Sequence, residues 1–469
     1  MLRKTEKQNR SSTTGQGILE LLIALAILVI SFSTGIVVIF GGQAILVDTH
    51  MSQQALNLAR QDLEEARAFA AQDFSNVISS TVIQGAFTKK IIVTDVDFDT
   101  KKIVSRVSWQ KTPAYERSVE LKTLVTNWVP DVPLSGDWKN PIVIGSLDLG
   151  SGNEGTDLKA RNRLVYMTAT PAGNTPSNHD FFIIDVGNPS GPFIRSSINT
   201  GPGLDAVYVK SNYAYVANRD SNAQLQVIDI RDKNSPQLVK SYKVPGISAG
   251  VRVQDIFVEN NVAYLATEKD SGSGELYAID VTSSTNPSVF PGSSPLEVGE
   301  DANSVIASGT VAFLAKASSS ELWSVDISSP SSMSVLGSYN PLGNQDGLDL
   351  FLIPGSSTLY LARDDGSNKE LEVVNAQNPS SIVELGSSNV PISGSATEVP
   401  EVLAQDYLVF LGTEDANKEL KIYNIGNAAN ITFWSDLNFP QVVTGMAYER
   451  NTIYISVRSN DALKIITSQ

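Results

Sequence analysis

The sequence predicts an α+β amino-terminal part followed by an all-β domain. The first is a long N-terminal helix with a small antiparallel sheet, and the second a seven-bladed β-propeller closed by its first and last strands. Three observations carry this class. The run from Ile18 to Val47 holds one charged residue, Glu20, and a helical pattern continues past it to about Val77. Segments between residues 78 and 128 alternate polar and apolar residues, as strands with one buried face do. From residue 141 onward a pair of strand patterns returns seven times at intervals of 43 to 51 residues, the period of a propeller blade.

The amino-terminal run is the first element. About 20 apolar residues suffice to cross a bilayer, so residues 18–47 are expected to span one. The basic flank Arg3, Lys4, Lys7 and Arg10 would stay on the cytoplasmic side. A carboxylate inside such a run is costly and marks a function. Gly15 stands five residues before Glu20, so a cut after Gly15 makes Gln16 the new amino terminus and Glu20 the fifth residue. A secretory signal carries its cleavage site after the apolar region. Here the candidate site precedes it, and the apolar segment is kept. A plain signal anchor is the rival reading, and it explains neither the acid nor the glycine.

Gly15, Glu20 and the run Leu21-Leu22-Ile23-Ala24-Leu25-Ala26 resemble the type III signal of type IV pilins and pseudopilins. The resemblance implies a leader, residues 1–15, removed by a prepilin peptidase that also methylates the new amine of Gln16. It further implies that Glu20 neutralises the terminal amine of a neighbouring subunit in a helical filament. Gln16 departs from the phenylalanine usual in that family, which bears on methylation more than on cleavage.

Within the expected helix, residues 16–77, the second half is amphipathic. Ala55, Leu58, Ala59, Asp62-Leu63, Ala66 and Phe69-Ala70 recur at three- and four-residue spacings, and Arg60, Glu64, Glu65 and Arg67 form the wet face. Arg60 and Glu64 stand at ion-pair spacing. Gly35, Gly41 and Gly42 lower helix propensity midway. Residues 78–128 then read as a small sheet, with strands at 90–93, 103–109 and 118–125. It resembles the small sheet of the minor pilins. Asp95, Asp97 and Asp99 alternate around a hairpin turn, and the glycine and distal glutamate of a calcium loop are missing. Residues 129–140, with two prolines and a glycine, read as a linker.

The propeller is assigned to residues 141–469. Each unit pairs an aromatic-rich strand with a strand ending in an Ile-Asp-like pair, then an Asn-Pro or Ser-Pro turn. Tyr213-Ala214-Tyr215-Val216-Ala217 with Leu225-Gln226-Val227-Ile228-Asp229 is one example. The units align on Asp185, Asp229, Asp280, Asp326, Asn375, Asn424 and Thr467. These units resemble the LVIVD-repeat propellers of bacterial surface proteins. The last unit lacks an outer strand, and Asn140-Pro141-Ile142-Val143-Ile144-Gly145-Ser146-Leu147 matches the outer-strand stretch Ser235–Tyr242 of an earlier unit. That segment is expected to complete the last blade and leave no broken edge.

Composition narrows the chemistry. There is no cysteine, so neither disulfide nor thiol chemistry is available, and the two histidines, His50 and His179, stand far apart. No catalytic residue, metal site or cofactor is assigned. Residues 141–469 carry 20 Lys+Arg against 36 Asp+Glu, and a nucleic-acid backbone would be repelled. The tips Arg219-Asp220, Glu268-Lys269-Asp270, Arg363-Asp364-Asp365 and Glu414-Asp415 are charged. Asp157, Asp205, Asp255, Asp301, Asp349 and Glu401 fall near the start of six units. Acids ringing a channel either hold a cation or cap backbone N–H groups, as Asp commonly does. The expected function is a minor or tip subunit of a type IV filament that displays the propeller as an adhesin-like head outside the cell. The expected partners are the prepilin peptidase, other pilin subunits, the inner membrane before assembly and a surface protein or glycan. A secretion-system pseudopilin and a surface-tethered propeller enzyme are the alternatives.

Overall fold

The computed structural model describes residues 14–72, 77–97, 100–112, 115–126, 132–171, 178–343, 345–353, 355–364, 369–393 and 398–469. The side chains of 14–24, 27, 35–47, 71, 72, 95 and 97 stand outside that description. Two compact units are present, Met1–Trp128 and Val129–Gln469.

The first unit holds the helix Thr14–Gln72 and a four-stranded antiparallel sheet. Its strands are Ser80–Gln84, Phe87–Asp97, Thr100–Thr112 and Tyr115–Thr126, paired in chain order. Ala55, Ala59, Leu63 and Ala70 on the helix are buried, with Phe87, Ile103, Val107 and Trp109 from the sheet. Phe69, read with that apolar face, is 48 % exposed. Asp62 lies on the buried face as well. It is 3 % exposed, 2.6 Å from Lys89 Nζ, and accepts a hydrogen bond from Ser105 Oγ at 3.1 Å. Glu64 pairs with Arg67 at 2.6 Å rather than with Arg60.

Among the described residues no helix is long and apolar enough to cross a membrane. The described side chains of the expected span lie between residues 25 and 34 and include Ser31, Ser33 and Thr34. Thr34 Oγ1 turns back to the Ile30 carbonyl at 2.6 Å. A spanning helix needs about 20 apolar residues, and none of that kind is found among the described residues. The expected class, α+β then all-β with a membrane-spanning pilin helix at 18–47, is corrected on this ground. The chain is nearly all β, with 32 strands in eight four-stranded sheets against one α-helix and one 3-10 turn among the described residues.

The second unit is a ring of seven four-stranded blades. Blade 1 comprises strands Asn153–Arg161, Leu164–Pro171, Phe181–Asp185 and Phe193–Ile198, running from the channel outward. The innermost strands of blades 2 to 7 are Leu204–Lys210, Val253–Glu259, Ala302–Ser308, Gly347–Leu352, Glu401–Gln405 and Val443–Glu449. The last blade is completed by Ile142–Leu147, which pairs antiparallel with Leu463–Thr467. Second strands are fully or almost fully buried, because each is covered by the neighbouring blades on both faces. The Ile-Asp motif closes each third strand with one device. Asp185, Asp229, Asp280, Asp326, Asn375 and Asn424 each accept the N–H two residues on, all at 2.9 Å.

Blades are also fastened at their outer strands. Six of the seven outer strands bulge near their middle, and in several the residue after the bulge receives the turn of the next blade. A Cβ on Gly386 would stand 1.7 Å from the Ala428 carbonyl oxygen, and one on Gly145 2.1 Å from that of Pro189. Only glycine admits such an approach. At the matching positions Ser196 and Ser435 donate instead to the carbonyls of Lys233 and Trp138.

The segment read as a linker is packed from residue 132 on. Leu134 N–H donates to Asp406 at 2.5 Å, and Ser135 N–H to Asn451 at 2.8 Å. Trp138 is 1 % exposed and meets Phe410 edge-on at 5.3 Å. Asp137 accepts from Lys139 N–H and donates its own N–H to the Gln469 carbonyl at 3.1 Å. Residues 137–140 thus supply the missing Asp-type turn of blade 7.

Candidate binding site at the channel mouth

Backbone pairing decides which loops share an end of the channel. Arg219, Glu268, Ala317, Asp364, Glu414 and Arg458, each just past a second strand, donate N–H to the carbonyls of Gly203, Arg252, Asp301, Asp346, Glu398 and Val442. The second-to-third-strand tips therefore sit beside the loops that lead into the inner strands.

The six acids near the blade starts separate into channel and mouth. Asp157, Asp255 and Asp349 follow a bulge on the innermost strands of blades 1, 3 and 5. Each accepts an N–H from the innermost strand of the next blade: Val207 at 2.8 Å, Val305 at 2.8 Å and Val402 at 2.9 Å. They do cap backbone, but across blades rather than within a turn. The same position holds Ala206, Ser304 and Gly445 in blades 2, 4 and 7. At the mouth, Asp205 pairs with Arg219 at 2.6 Å, and Asp301 accepts the Lys269 N–H at 2.7 Å. Glu401 stays half-buried in the channel.

The channel groups interact strongly. Ser304 Oγ lies 3.1 Å from Asp255 Oδ2 and 2.9 Å from Asp349 Oδ1. One hydroxyl proton serves one of these contacts, so the other calls for a protonated carboxyl. Burial pushes Asp349 up to about 7 against the pull of the Val402 N–H, and the Asp255 charge adds to the rise. Burial, then the charges of Asp349 and Asp157, holds Glu401 well above the usual carboxylate range. Burial also raises Asp157, which Lys159 at 3.2 Å draws down. A carboxyl whose pKa is raised in the fold supplies stability below its unfolded value that is lost as pH rises through the folded value. For Asp349 that window runs from its ordinary 3.8 to about 7. Asp349→Asn is expected to raise the urea midpoint at pH 8 and leave it nearly unchanged at pH 4. An equal shift at both values would discard this account.

The charged tips serve different ends. Arg363 is not a surface tip but fully buried, with Nε 2.8 Å from Glu321 and Nη1 3.3 Å from Glu372. Asp270 and Asp415 tie their tips to the loops leading into the inner strands by accepting from Ser248 and Ser393. Asp365 lies outside the described residues. Sequence reasoning missed a second repeated group, five residues before each Ile-Asp acid. Asp180, Gln224, Glu275, Glu370 and Glu419 are buried there and accept the N–H of Thr200, Val244, Val298, Val390 and Phe439. Burial pushes Asp180 up to about 6. The fixed offset from the aligned acids was the available signal.

Gly15, Gln16 and Glu20 lie on the helix Thr14–Gln72, and their side chains stand outside the described residues. His50 is exposed on the same helix, and His179 Nδ1 lies 2.6 Å from Ser197 Oγ on blade 1. The Asp95, Asp97 and Asp99 carboxylates are likewise outside the description. Among the described residues no group of three or more His, Asp or Glu is placed to hold a metal ion.

The LVIVD repeat family matches residues 177–200, 205–244 and 299–341. This is a β-propeller protein with LVIVD repeats. A periplasmic gluconolactonase from Pseudomonas aeruginosa is similar at 12 % identity and a TM-score of 0.51, over 68 % of this chain and 99 % of that one. A virginiamycin B lyase from Staphylococcus aureus is similar at 12 % identity and a TM-score of 0.47, over 70 % and 100 %. The WD40 propeller domain of Doa1 follows at 11 % and 0.47, over 70 % and 97 %. At such identities the likeness concerns the fold alone. A comparison with curated proteins finds no matching sequence.

Proposed function

We propose that the LVIVD propeller is a non-catalytic binding head, carried outside the cell as a minor or tip subunit of a type IV filament. The observation that carries the filament part is Gly15 five residues before Glu20, both on one helix. In this reading a prepilin peptidase cuts after Gly15, and Glu20 meets the freed amine of a neighbouring subunit. The binding part rests on the charged loops gathered at one end of the channel. The surface ligand, protein or glycan, would meet that end.

The test is the intact mass of the chain after co-expression with a prepilin peptidase, wild type beside Gly15→Ala. A mature amino terminus at Gln16, absent from the variant, is the expected result. A chain left uncut in both would remove the filament part and leave an LVIVD propeller on a helical unit.

A further inference from the structure

The channel mouth is charged unevenly. On blades 2 to 4 three of its acids have cationic partners: Asp205 with Arg219 at 2.6 Å, Glu268 with Arg252 at 2.6 Å and Glu300 with Lys269 at 3.0 Å. On blades 5 and 6, Asp346, Asp364, Glu398 and Glu414 form no ion pair among the described residues. The backbone forces these four together. Asp346 N–H donates to Asp364 Oδ1 at 2.7 Å, Asp364 and Glu398 form a β-bridge, and Glu414 N–H donates to the Glu398 carbonyl at 3.0 Å. Three residues further along each inner strand stand the channel acids Asp349 and Glu401.

The cations facing this sector are few and mostly engaged. Arg363 is buried against Glu321 and Glu372, and Lys159 is held by Asp157. Lys316 of blade 4 donates to the carbonyls of Ala317 and Ser319; among the described residues Arg458 of blade 7 acts on Glu398, and Lys369 is exposed on the tip that begins at Asp364. Burial first, then mutual repulsion, raises Asp364 and Glu398.

A separate observation points to a missing donor. Gln345 is only 5 % exposed, and its Nε2 donates to the Asp364 carbonyl at 2.5 Å. Its Oε1, on the same amide beside the acidic arc, is buried and accepts nothing. A buried acceptor left unmade costs about 1–3 kcal/mol. The sector carries four carboxylates without an ion pair over two blades, Asp346 already accepting the Ser318 N–H at 2.6 Å and Arg458 acting on Glu398, with no three acids at metal-binding spacing among the described residues. That geometry suits a charged group with several N–H donors.

We propose that the blade 5–6 sector of the channel mouth binds an organic cation, a guanidinium or primary ammonium group. The inference rests on the reading of the propeller as a binding head and names the chemistry it takes. The group belongs either to a free polyamine or to an arginine or lysine side chain on a partner protein.

The test is calorimetric titration of the full chain with spermidine and, separately, with an acetylated, amidated Arg-Gly-Arg peptide. Saturable binding of at least one probe, weaker at high salt, is expected. Glu398→Gln should weaken it about tenfold, equivalent to about 1.4 kcal/mol, and Glu384→Gln on an outer strand should leave it unchanged. Matching melting temperatures of the three proteins exclude a folding defect, and Glu414→Gln serves if Glu398→Gln fails to fold. Spermidine alone binding identifies a free amine, and the peptide alone a partner's side chain. No saturable binding, or binding unchanged by Glu398→Gln and by Glu414→Gln, overturns the proposal. Cells that lose the whole chain and attach as before would refute the binding head itself, a separate result.

Discussion

Replacing Glu321 by alanine is expected to destabilise the propeller by about 3–5 kcal/mol, the usual consequence of stripping one partner from a buried ion pair. Glu321 and Arg363 are both fully buried, 2.8 Å apart, one just before the third strand of blade 4 and the other on the second strand of blade 5. Glu372 is 3.3 Å from the same guanidinium and accepts from Tyr339. Burial pushes both glutamates up to about 7, against the pull of Arg363. Without Glu321 the guanidinium keeps one distant carboxylate and the carbonyls of Lys369 and Leu342. Urea unfolding of the variant gives the cost directly. The double variant Glu321→Leu/Arg363→Met should lose less than the two single changes added together, since neither charge is then stranded. Additive losses would mean that the two side chains act independently.

Trp138→Ala should cost a similar amount, about 3–5 kcal/mol by the range for buried aromatic truncations. The indole fills the seam between blades 6 and 7, among Phe410, Leu420, Ile422, Phe439 and Ile466. Its Nε1 donates to Asn451 at 3.3 Å, and the same asparagine holds Ser135 from both sides. Hydrogen exchange should locate the damage, with faster exchange across Leu463–Thr467 than across the central strands of blades 2 and 3. A loss under ~1 kcal/mol, within the range of an ordinary surface change, would show that residues 132–138 are not part of the folded ring.

How much of this was legible in the sequence depended on whether a feature repeats. The seven units, the closing strand at 142–147 and the Asp turns after the third strands all recur at fixed register, and period and alternation expose them. The buried acids before the third strands recur as well, at a constant offset from Asp185 and its equivalents. They were passed over because an acid next to a loop tip reads as solvated. Arg363 shows why that inference fails: its neighbours Glu321 and Glu372 lie 42 and 9 residues away, and one sits in another blade. The cross-blade bonds of Asp157, Asp255 and Asp349 are hidden for the same reason. Prolines in 129–140 suggested a linker, yet Trp138 was the sign that part of it is core. The span expected at 18–47 came from apolar composition alone.

The closing strand also sets a timetable. A ribosome makes roughly 300 residues between Leu147 and Leu463, which at about 5–20 residues per second takes on the order of 15–60 s. Throughout that interval Ile142–Leu147 has no partner strand and Trp138 has no seam to fill. Six blades can assemble in order meanwhile, each docking on the one before. Entropy does little to penalise the late join, because loop-closure cost grows only with the logarithm of length. Time does, since an open apolar edge is where chains stick to one another. The newborn ring is most vulnerable in the seconds before its last strand arrives.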